Sequence, residues 1–157
     1  MTERRFPSSI EAKLGATVKG AYDYWLLCRP APDLLPGRQH IDPVEIPRLL
    51  ANIWLIDVEG PPRQYRYRLV GTAIVAAMRG DCTGKTLQEL MEGDTLAVVL
   101  ETMDRIAATG EPDRRTGPPF VETEKRIDRV ERIYLPLASD GKTVDMMLGC
   151  AQYESQF

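Results

Sequence analysis

Two consecutive segments near the end of the chain are apolar on both faces, and they constrain the fold more than any other feature. The segments 129–138 and 143–153 are joined by Ser139-Asp-Gly-Lys142. Asp-Gly between two extended apolar runs is a strong signal for a tight hairpin, because glycine accepts the positive φ of the turn. The segment 53–58 is equally apolar, whereas an antiparallel strand open to water on one side carries polar residues there. The sequence therefore predicts three central strands of a sheet that is covered on both faces.

The strand predicted next along the chain has a different pattern. In the run Tyr65-Arg-Tyr-Arg-Leu-Val70, aromatic or apolar residues alternate with two arginines. Period-two alternation puts Tyr65, Tyr67 and Leu69 on one face and both arginines on the other. The run is thus predicted as an edge strand, whose arginines lie on an open face or form a basic row toward a ligand.

The first part of the chain predicts a helix over 9–28. Apolar residues recur there at intervals of four and three, which aligns them on one stripe of the helix. The stripe contains Leu14, Val18, Ala21 and Trp25. Two interpretations fit it: the helix packs on its own domain, or the four residues form the seam of a dimer.

A proline-rich connector follows this helix. Its prolines between residues 30 and 47 exclude a long regular element, but Asp42 suits a helix N-cap and Pro43 the first helical position. We therefore expect an ordered connector with one helical turn. The predicted division places the N-terminal helix and proline-rich connector in 1–36 and the main domain in 37–157.

Helices are predicted in the middle of the chain. Two short ones cover about 72–79 and 87–91, and a longer amphipathic one covers 94–109 and stops at Gly110. A further strand is predicted at 113–124. Helices therefore separate the first two strands from the last three.

This order of elements is similar to that of PAS domains. The local sequence also resembles PAS motifs in two runs, Tyr67-Arg-Leu-Val-Gly-Thr72 and Thr83-Gly-Lys-Thr-Leu-Gln-Glu-Leu90. A further run, Ile41-Asp-Pro-Val-Glu-Ile-Pro-Arg-Leu-Leu50, resembles a bacterial PAS-like family of short stand-alone chains. The resemblance covers roughly residues 24–153.

The resemblance implies an α+β fold with a five-stranded antiparallel sheet of order 2-1-5-4-3, helices on one face and the N-terminal helix outside. In PAS domains the helices and the sheet enclose a pocket that can hold a cofactor or a small molecule, and the outer face can dimerise. The residues that match pocket positions are Trp54, Tyr67, Met78, Leu87, Met103, Tyr134 and Met146. They either line a ligand pocket or fill the core.

No cofactor is identified by the sequence. If Leu87-Gln88 is matched to the equivalent pair of light-sensing flavin PAS domains, the position of their reactive cysteine falls on Gly84 rather than on Cys82. Three separated cysteines and a single histidine do not predict a metal site. No catalytic residue is predicted, although Asp57 or a tyrosine in the pocket with a shifted pKa would suit an acid–base enzyme.

The composition limits the partners. The 157 residues carry 20 basic and 23 acidic side chains, and this net charge of -3 predicts no nucleic-acid partner. The sequence has no apolar run of membrane-spanning length and no secretory signal peptide, so we expect a cytoplasmic protein without membrane contact.

The sequence thus predicts a regulatory or sensory module that binds a small molecule or a protein partner. A homodimer and a separate signalling protein are the expected partners, because the last predicted strand ends close to Phe157. Two alternatives stay open: a dimerisation scaffold with a filled core, and an acid–base enzyme with a cone-shaped α+β fold.

Overall fold

A single antiparallel sheet organises the molecule. The computed structural model describes residues 14–78, 80–119 and 129–154. The strands are β1 (Ile53–Glu59), β2 (Gln64–Val70), β3 (Asp113–Gly117), β4 (Arg129–Leu137) and β5 (Met146–Glu154). Their order in the sheet is β2-β1-β5-β4-β3, which confirms the predicted fold. The predicted helix start at residue 9 and the predicted strand end at residue 124 lie outside the described residues.

The helices flank this sheet. They are α1 (Ala16–Leu27), α2 (Thr72–Ala77), α3 (Leu87–Leu90) and α4 (Gly93–Thr109). Three short 3₁₀ turns lie in the connector, at Arg38–His40, Pro43–Glu45 and Leu50–Asn52. As predicted, the Asp42 side chain caps one of these turns by accepting a hydrogen bond from the Val44 backbone N–H at 3.0 Å. Gly110 ends α4 in the left-handed conformation, with φ +69°.

The central strands are buried on both faces, as their apolar pattern predicts. On the outer face, α1 packs on β4 and β5, and the indole N–H of Trp25 donates to the Pro136 carbonyl at 2.8 Å. On the inner face, the Tyr65 hydroxyl is hydrogen bonded to the Asp104 carboxylate of α4. Each layer covers one apolar face, so water is excluded from both sides of β4 and β5.

The helix α1 begins at Ala16, directly after an interruption at Gly15. Gly15 is extended rather than helical, and its backbone N–H donates to Glu131 Oε1 at 2.7 Å. This contact with β4 satisfies one of the amides that a helix start leaves without an intrahelical acceptor. The N-terminus of α1 is therefore fixed by the sheet.

The stripe predicted as a possible dimer seam is occupied within the chain. Val18, Ala21 and Trp25 are almost completely buried, and Leu14 is partly buried against the same core. These side chains pack on their own sheet, which agrees with the interpretation that the helix docks within its domain. The homodimer itself stays a prediction.

Two details of the strands differ from prediction. A register shift pairs Leu69 with Leu55 but Tyr67 with Ile56, which separates Leu69 from the face of Tyr67. Leu69 is correspondingly exposed. The hairpin between β4 and β5 is wider than a two-residue turn, because β5 begins at Met146 rather than at residue 143.

The turn in this hairpin does use the predicted Asp-Gly pair. The Asp140 carboxylate accepts hydrogen bonds from the backbone N–H groups of Lys142 and Thr143, at 2.8 and 2.7 Å. Gly141 has φ +83°, which a residue with a Cβ rarely adopts. Among the helices of the described residues, none has both the length and the apolar character needed to cross a bilayer.

Candidate functional site

A small cavity lies between the inner face of the sheet and the mid-chain helices. Its volume is about 70 Å³. Strand residues and α2 supply most of its wall, and the lining residues are Trp54, Tyr67, Ile74, Met78, Met91, Pro119, Val130, Arg132, Tyr134, Ala151 and Tyr153. The wall is mainly apolar, but five of these residues bring polar atoms.

Trp54 carries the most informative of these polar atoms. The residue is 6% exposed, and its indole Nε1 finds no hydrogen-bond acceptor among the described residues. The ring packs edge-on against Tyr134, with 5.8 Å between the ring centroids. A buried N–H without an acceptor costs about 1–3 kcal/mol, so the position of this indole is unfavourable unless a partner other than the described residues satisfies it.

The glycine beneath Trp54 explains how the indole reaches this place. Trp54 and Gly149 are partners in the β1–β5 register. A Cβ built on Gly149 would lie 1.9 Å from Trp54 Cε2 and 2.4 Å from its Nε1. The indole therefore rests on the bare backbone of β5, and any larger residue would displace it.

Three tyrosines surround the same space. Tyr67, Tyr134 and Tyr153 line the cavity. Burial raises the pKa of Tyr134 and of Tyr153 to about 12, and that of Tyr67 well above its ordinary value. At neutral pH all three are therefore protonated hydroxyls that can donate hydrogen bonds.

Arg132 adds a positive charge to the wall. It is 7% exposed, and its Nη2 donates to the Pro118 carbonyl at 3.0 Å. Burial lowers the pKa of its guanidinium, but an arginine remains charged at neutral pH. The arginine and the tyrosines influence one another, because its charge opposes the rise in the pKa of Tyr134 and Tyr153.

The structure places four of the seven predicted pocket residues on the cavity wall: Trp54, Tyr67, Met78 and Tyr134. Leu87 and Met103 are instead fully buried core residues. Met146 belongs to the outer face, because it has the same parity on β5 as Cys150, whose thiol points to the Thr17 carbonyl of α1.

Sequence reasoning missed several wall residues, of which Arg132 and Tyr153 bear on chemistry. Arg132 is two residues from Tyr134 on β4, and Tyr153 is two residues from Ala151 on β5. Side chains alternate between the two faces of a strand, so counting in steps of two from Tyr134 and from Gly149 places Arg132 and Tyr153 on the inner face.

Asp57 lies elsewhere. It pairs with Arg68 of the neighbouring strand at 3.2 Å, away from the cavity wall. His40 is a structural residue whose Nδ1 accepts a hydrogen bond from the Gly37 N–H at 2.9 Å. Within the described ranges no group of three or more His, Cys, Asp or Glu side chains is placed to hold a metal ion.

A five-stranded antiparallel sheet of this order, with mid-chain helices over an inner cavity, is the architecture of PAS domains. The model of the PAS domain family matches residues 15–152, and the chain belongs to this family. PAS domains are generally sensory and regulatory modules.

Solved structures with a similar fold include light-oxygen-voltage domains. One, described as "Flavin Analogue Sheds Light on Light-Oxygen-Voltage Domain Mechanism", has 13% identity and a TM-score of 0.50, with coverage of 72% of this chain and 84% of that chain. A variant of RsLOV has 14% identity and a TM-score of 0.46, with coverage of 69% and 63%. At these identities the likeness concerns the fold alone. No curated protein matches the chain.

The cavity does not fit a flavin. Pockets for drug-sized ligands have volumes of roughly 300–1,000 Å³, whereas this one has about 70 Å³. Cys82 is buried, and burial raises the pKa of its thiol. The residues present therefore give no support to flavin photochemistry at this site.

Proposed function

We propose that this PAS domain is a non-catalytic regulatory module whose inner cavity binds a small molecule. The observation that carries the proposal is a cavity between the sheet and the helices whose wall contains Trp54, a residue whose buried indole N–H has no acceptor among the described residues. The protonated hydroxyls of Tyr67, Tyr134 and Tyr153 are further donors on the same wall. A ligand with hydrogen-bond acceptors would be held by such donors.

The route from the cavity to the surface runs through adjacent residues of β4. Arg132 lines the cavity, whereas Glu131 lies on the outer face. Glu131 Oε1 accepts from the N–H of Gly15, and its Oε2 pairs with Arg114 Nη2 at 2.7 Å. A ligand with different affinity for two positions of β4 would therefore shift the start of α1.

The output partner is part of the same proposal. A homodimer or a separate signalling protein would read the position of α1 or of the outer layer. The alternative of a scaffold with a filled core loses support, because the core contains a cavity lined by buried polar groups.

The acid–base enzyme alternative has one supporting feature and lacks another. Tyrosines with raised pKa values do line the cavity, as that alternative predicts. A catalytic base is missing from the wall, because its described residues include no carboxylate and no histidine, and Asp57 pairs with Arg68 instead. Tyrosines whose pKa lies near 12 donate hydrogen bonds at neutral pH but do not accept protons.

Native mass spectrometry of protein purified without denaturant tests the proposal. We expect a bound small mass on the wild type and on Ala108→Leu, an exposed position of α4. Ala151→Leu places a branched side chain in the cavity and should abolish the bound mass. Val130→Ala, which enlarges the cavity, serves if Ala151→Leu does not fold, and it should change the bound mass or its occupancy.

Two results would contradict the proposal that the cavity binds a small molecule. If the wild type carries no small mass, and a library of small molecules leaves its thermal stability unchanged, the cavity is not a binding site. An identical bound mass on Ala151→Leu would place the molecule elsewhere.

A further inference from the structure

The segment 80–86 forms a strap along the edge strand β2. Its Cys82 and Thr86 side chains are buried, whereas Thr83 and Lys85 are exposed to solvent. Because buried and exposed side chains follow one another within this short segment, the strap is a single layer of chain between the interior and the solvent.

The inner side of the strap lies next to the cavity wall. Burial raises the pKa of Tyr67 well above its ordinary value and that of Tyr153 to about 12, and the Cys82 thiol adds to the rise at both. Electrostatic influence of this kind falls with distance, so the thiol lies near both wall tyrosines. Two further wall residues, Met78 and Met91, precede and follow the strap in the sequence. The strap therefore separates this part of the wall from solvent.

Hydrogen bonds to two neighbouring residues of β2 hold the strap in place. The Tyr67 N–H donates to the Lys85 carbonyl at 2.9 Å, and the Tyr67 carbonyl accepts from the Gly84 N–H at 2.7 Å. The guanidinium of Arg66 donates to the Gly84 carbonyl at 2.9 Å. Tyr67 thus binds the strap through its main chain and lines the cavity with its side chain.

The strap has room to move, and it has a fixed end. Gly80 and Gly84 have φ values of +146° and +87°, and a Cβ built on either would meet nothing within 4 Å. Segments with open surroundings and few hydrogen bonds open at a lower free energy than the whole fold. Leu87, directly after the strap, is fully buried and anchors the chain there. An opening of the strap would therefore stop at α3.

We propose that the strap is a gate, which detaches from β2 as one unit and uncovers the Tyr67 and Tyr153 side of the cavity wall. Its role in the entry of a ligand rests on the proposed function. A molecule in the cavity that displaces Tyr67 would also change the hold on the strap, because one residue makes both contacts. Opening can be measured without a ligand, so the gate and the ligand site are tested separately.

The rate at which N-ethylmaleimide alkylates Cys82, mapped by mass spectrometry of peptides, measures the opening. Arg66→Met removes the hydrogen bond to the Gly84 carbonyl, and it should accelerate this alkylation by about 3- to 10-fold. Arg68→Met is the matched control, because each of the two arginines pairs with a carboxylate of β1 and only Arg66 contacts the strap. It should leave the rate at Cys82 unchanged.

Two further readouts separate the opening of the strap from unfolding of the whole chain. Cys150 is buried on the outer face of the sheet, and its alkylation should respond equally to the two arginine substitutions. The amides of Gly84 and Tyr67 should be equally protected from hydrogen exchange, and at least about 10-fold less protected than the amides of β5.

Three results would overturn the gate. The first is an acceleration at Cys82 that is no larger in Arg66→Met than in Arg68→Met. The second is an equal acceleration at Cys82 and Cys150 in Arg66→Met, since only global unfolding would then expose the thiol. The third is unequal protection of the Gly84 and Tyr67 amides, because the strap would not move as one unit. Selective acceleration at Cys82 in a protein that binds no small molecule would support the gate and contradict the proposed function.

Discussion

At the scale of single residues, Tyr134 illustrates how environment rather than residue type sets the chemistry of the cavity. Its side chain is 5% exposed, and burial raises its pKa from 10.0 to about 12. The phenol is therefore neutral in the folded chain under conditions where an unfolded chain would already lose the proton. Tyr153 behaves in the same way.

This shift predicts alkaline instability. Above pH 10 the unfolded state loses a proton that the folded state keeps on Tyr134, so the free energy of unfolding falls as the pH rises. The contribution, about 3 kcal/mol, is complete below pH 10 and is lost between pH 10 and about 12. Urea unfolding at a series of pH values measures the fall, and absorbance of the tyrosinate reports the titration.

The variant Tyr134→Phe gives the control for this experiment. It should reduce the slope of stability against pH above pH 10. The other groups with raised pKa values keep the remaining slope, among them Tyr153 and the buried Cys150 thiol, whose pKa values are raised to about 12. Titration of every tyrosine near pH 10 in the folded protein would contradict the assignment.

The cavity residues were only partly predictable from the sequence. The sequence identified Trp54, Tyr67 and Tyr134 as pocket residues. They are large side chains at strand positions that face the inner side of the sheet, and such side chains are typical of a pocket wall. The prediction that Met146 lines the pocket was wrong, because β5 is apolar on both faces and the pattern therefore does not show which face is the inner one. Arg132 was missed because an arginine in a charge-rich segment predicts a solvated position, and only the packed sheet reveals its burial.

At the scale of elements, one carboxylate joins the start of α1 to β4 and β3. Glu131 contacts both Gly15 at the start of α1 and Arg114 of β3, and its side chain is 13% exposed. A mostly buried carboxylate with two partners contributes more to stability than a solvated surface ion pair, because little water competes for its oxygens. The outer layer therefore depends on this side chain.

We predict that Glu131→Ala loosens the first turn of α1. Amide exchange at residues 15–19 should be at least about 10-fold faster, and the free energy of unfolding should fall by about 1–3 kcal/mol. Asp23→Asn is the control, because it removes only the exposed pair with Lys19 on the same helix and should cost less than about 0.5 kcal/mol. Equal effects of the two variants on exchange would refute this role of Glu131.

Element boundaries show where local pattern stops being sufficient. The long helix α4 ends at Gly110 as predicted, since a glycine stop is encoded locally. The extended conformation of Gly15 within the predicted helix was not predictable, because Gly15 is fixed by Glu131, which is 116 positions away in the sequence. The glycine stop is a signal within neighbouring residues, whereas the conformation of Gly15 depends on a distant strand.

At the scale of the whole molecule, α1 completes the second apolar layer. Trp25 is fully buried between the helix and the sheet, whereas Leu27 of the same helix is 83% exposed. We predict that Trp25→Ala lowers the free energy of unfolding by about 3–5 kcal/mol, and that Leu27→Ala changes it by less than about 0.5 kcal/mol.

Chemical denaturation of both variants measures this difference. A small effect of Trp25→Ala would mean that α1 is not docked on the sheet in solution, and the dimer interpretation of its stripe would regain support. Size-exclusion chromatography of the same samples reports whether an exposed outer layer leads to association.

The edge of the sheet at β2 has a consequence of its own. The N–H of Tyr67 donates to the Lys85 carbonyl at 2.9 Å, and the Tyr67 carbonyl accepts from Gly84 at 2.7 Å. Both main-chain groups at this point are therefore already engaged by the chain itself. An extended peptide from another molecule could pair with β2 at this point only after it displaced the segment 84–86. The chain therefore protects this part of the sheet edge against strand-to-strand aggregation.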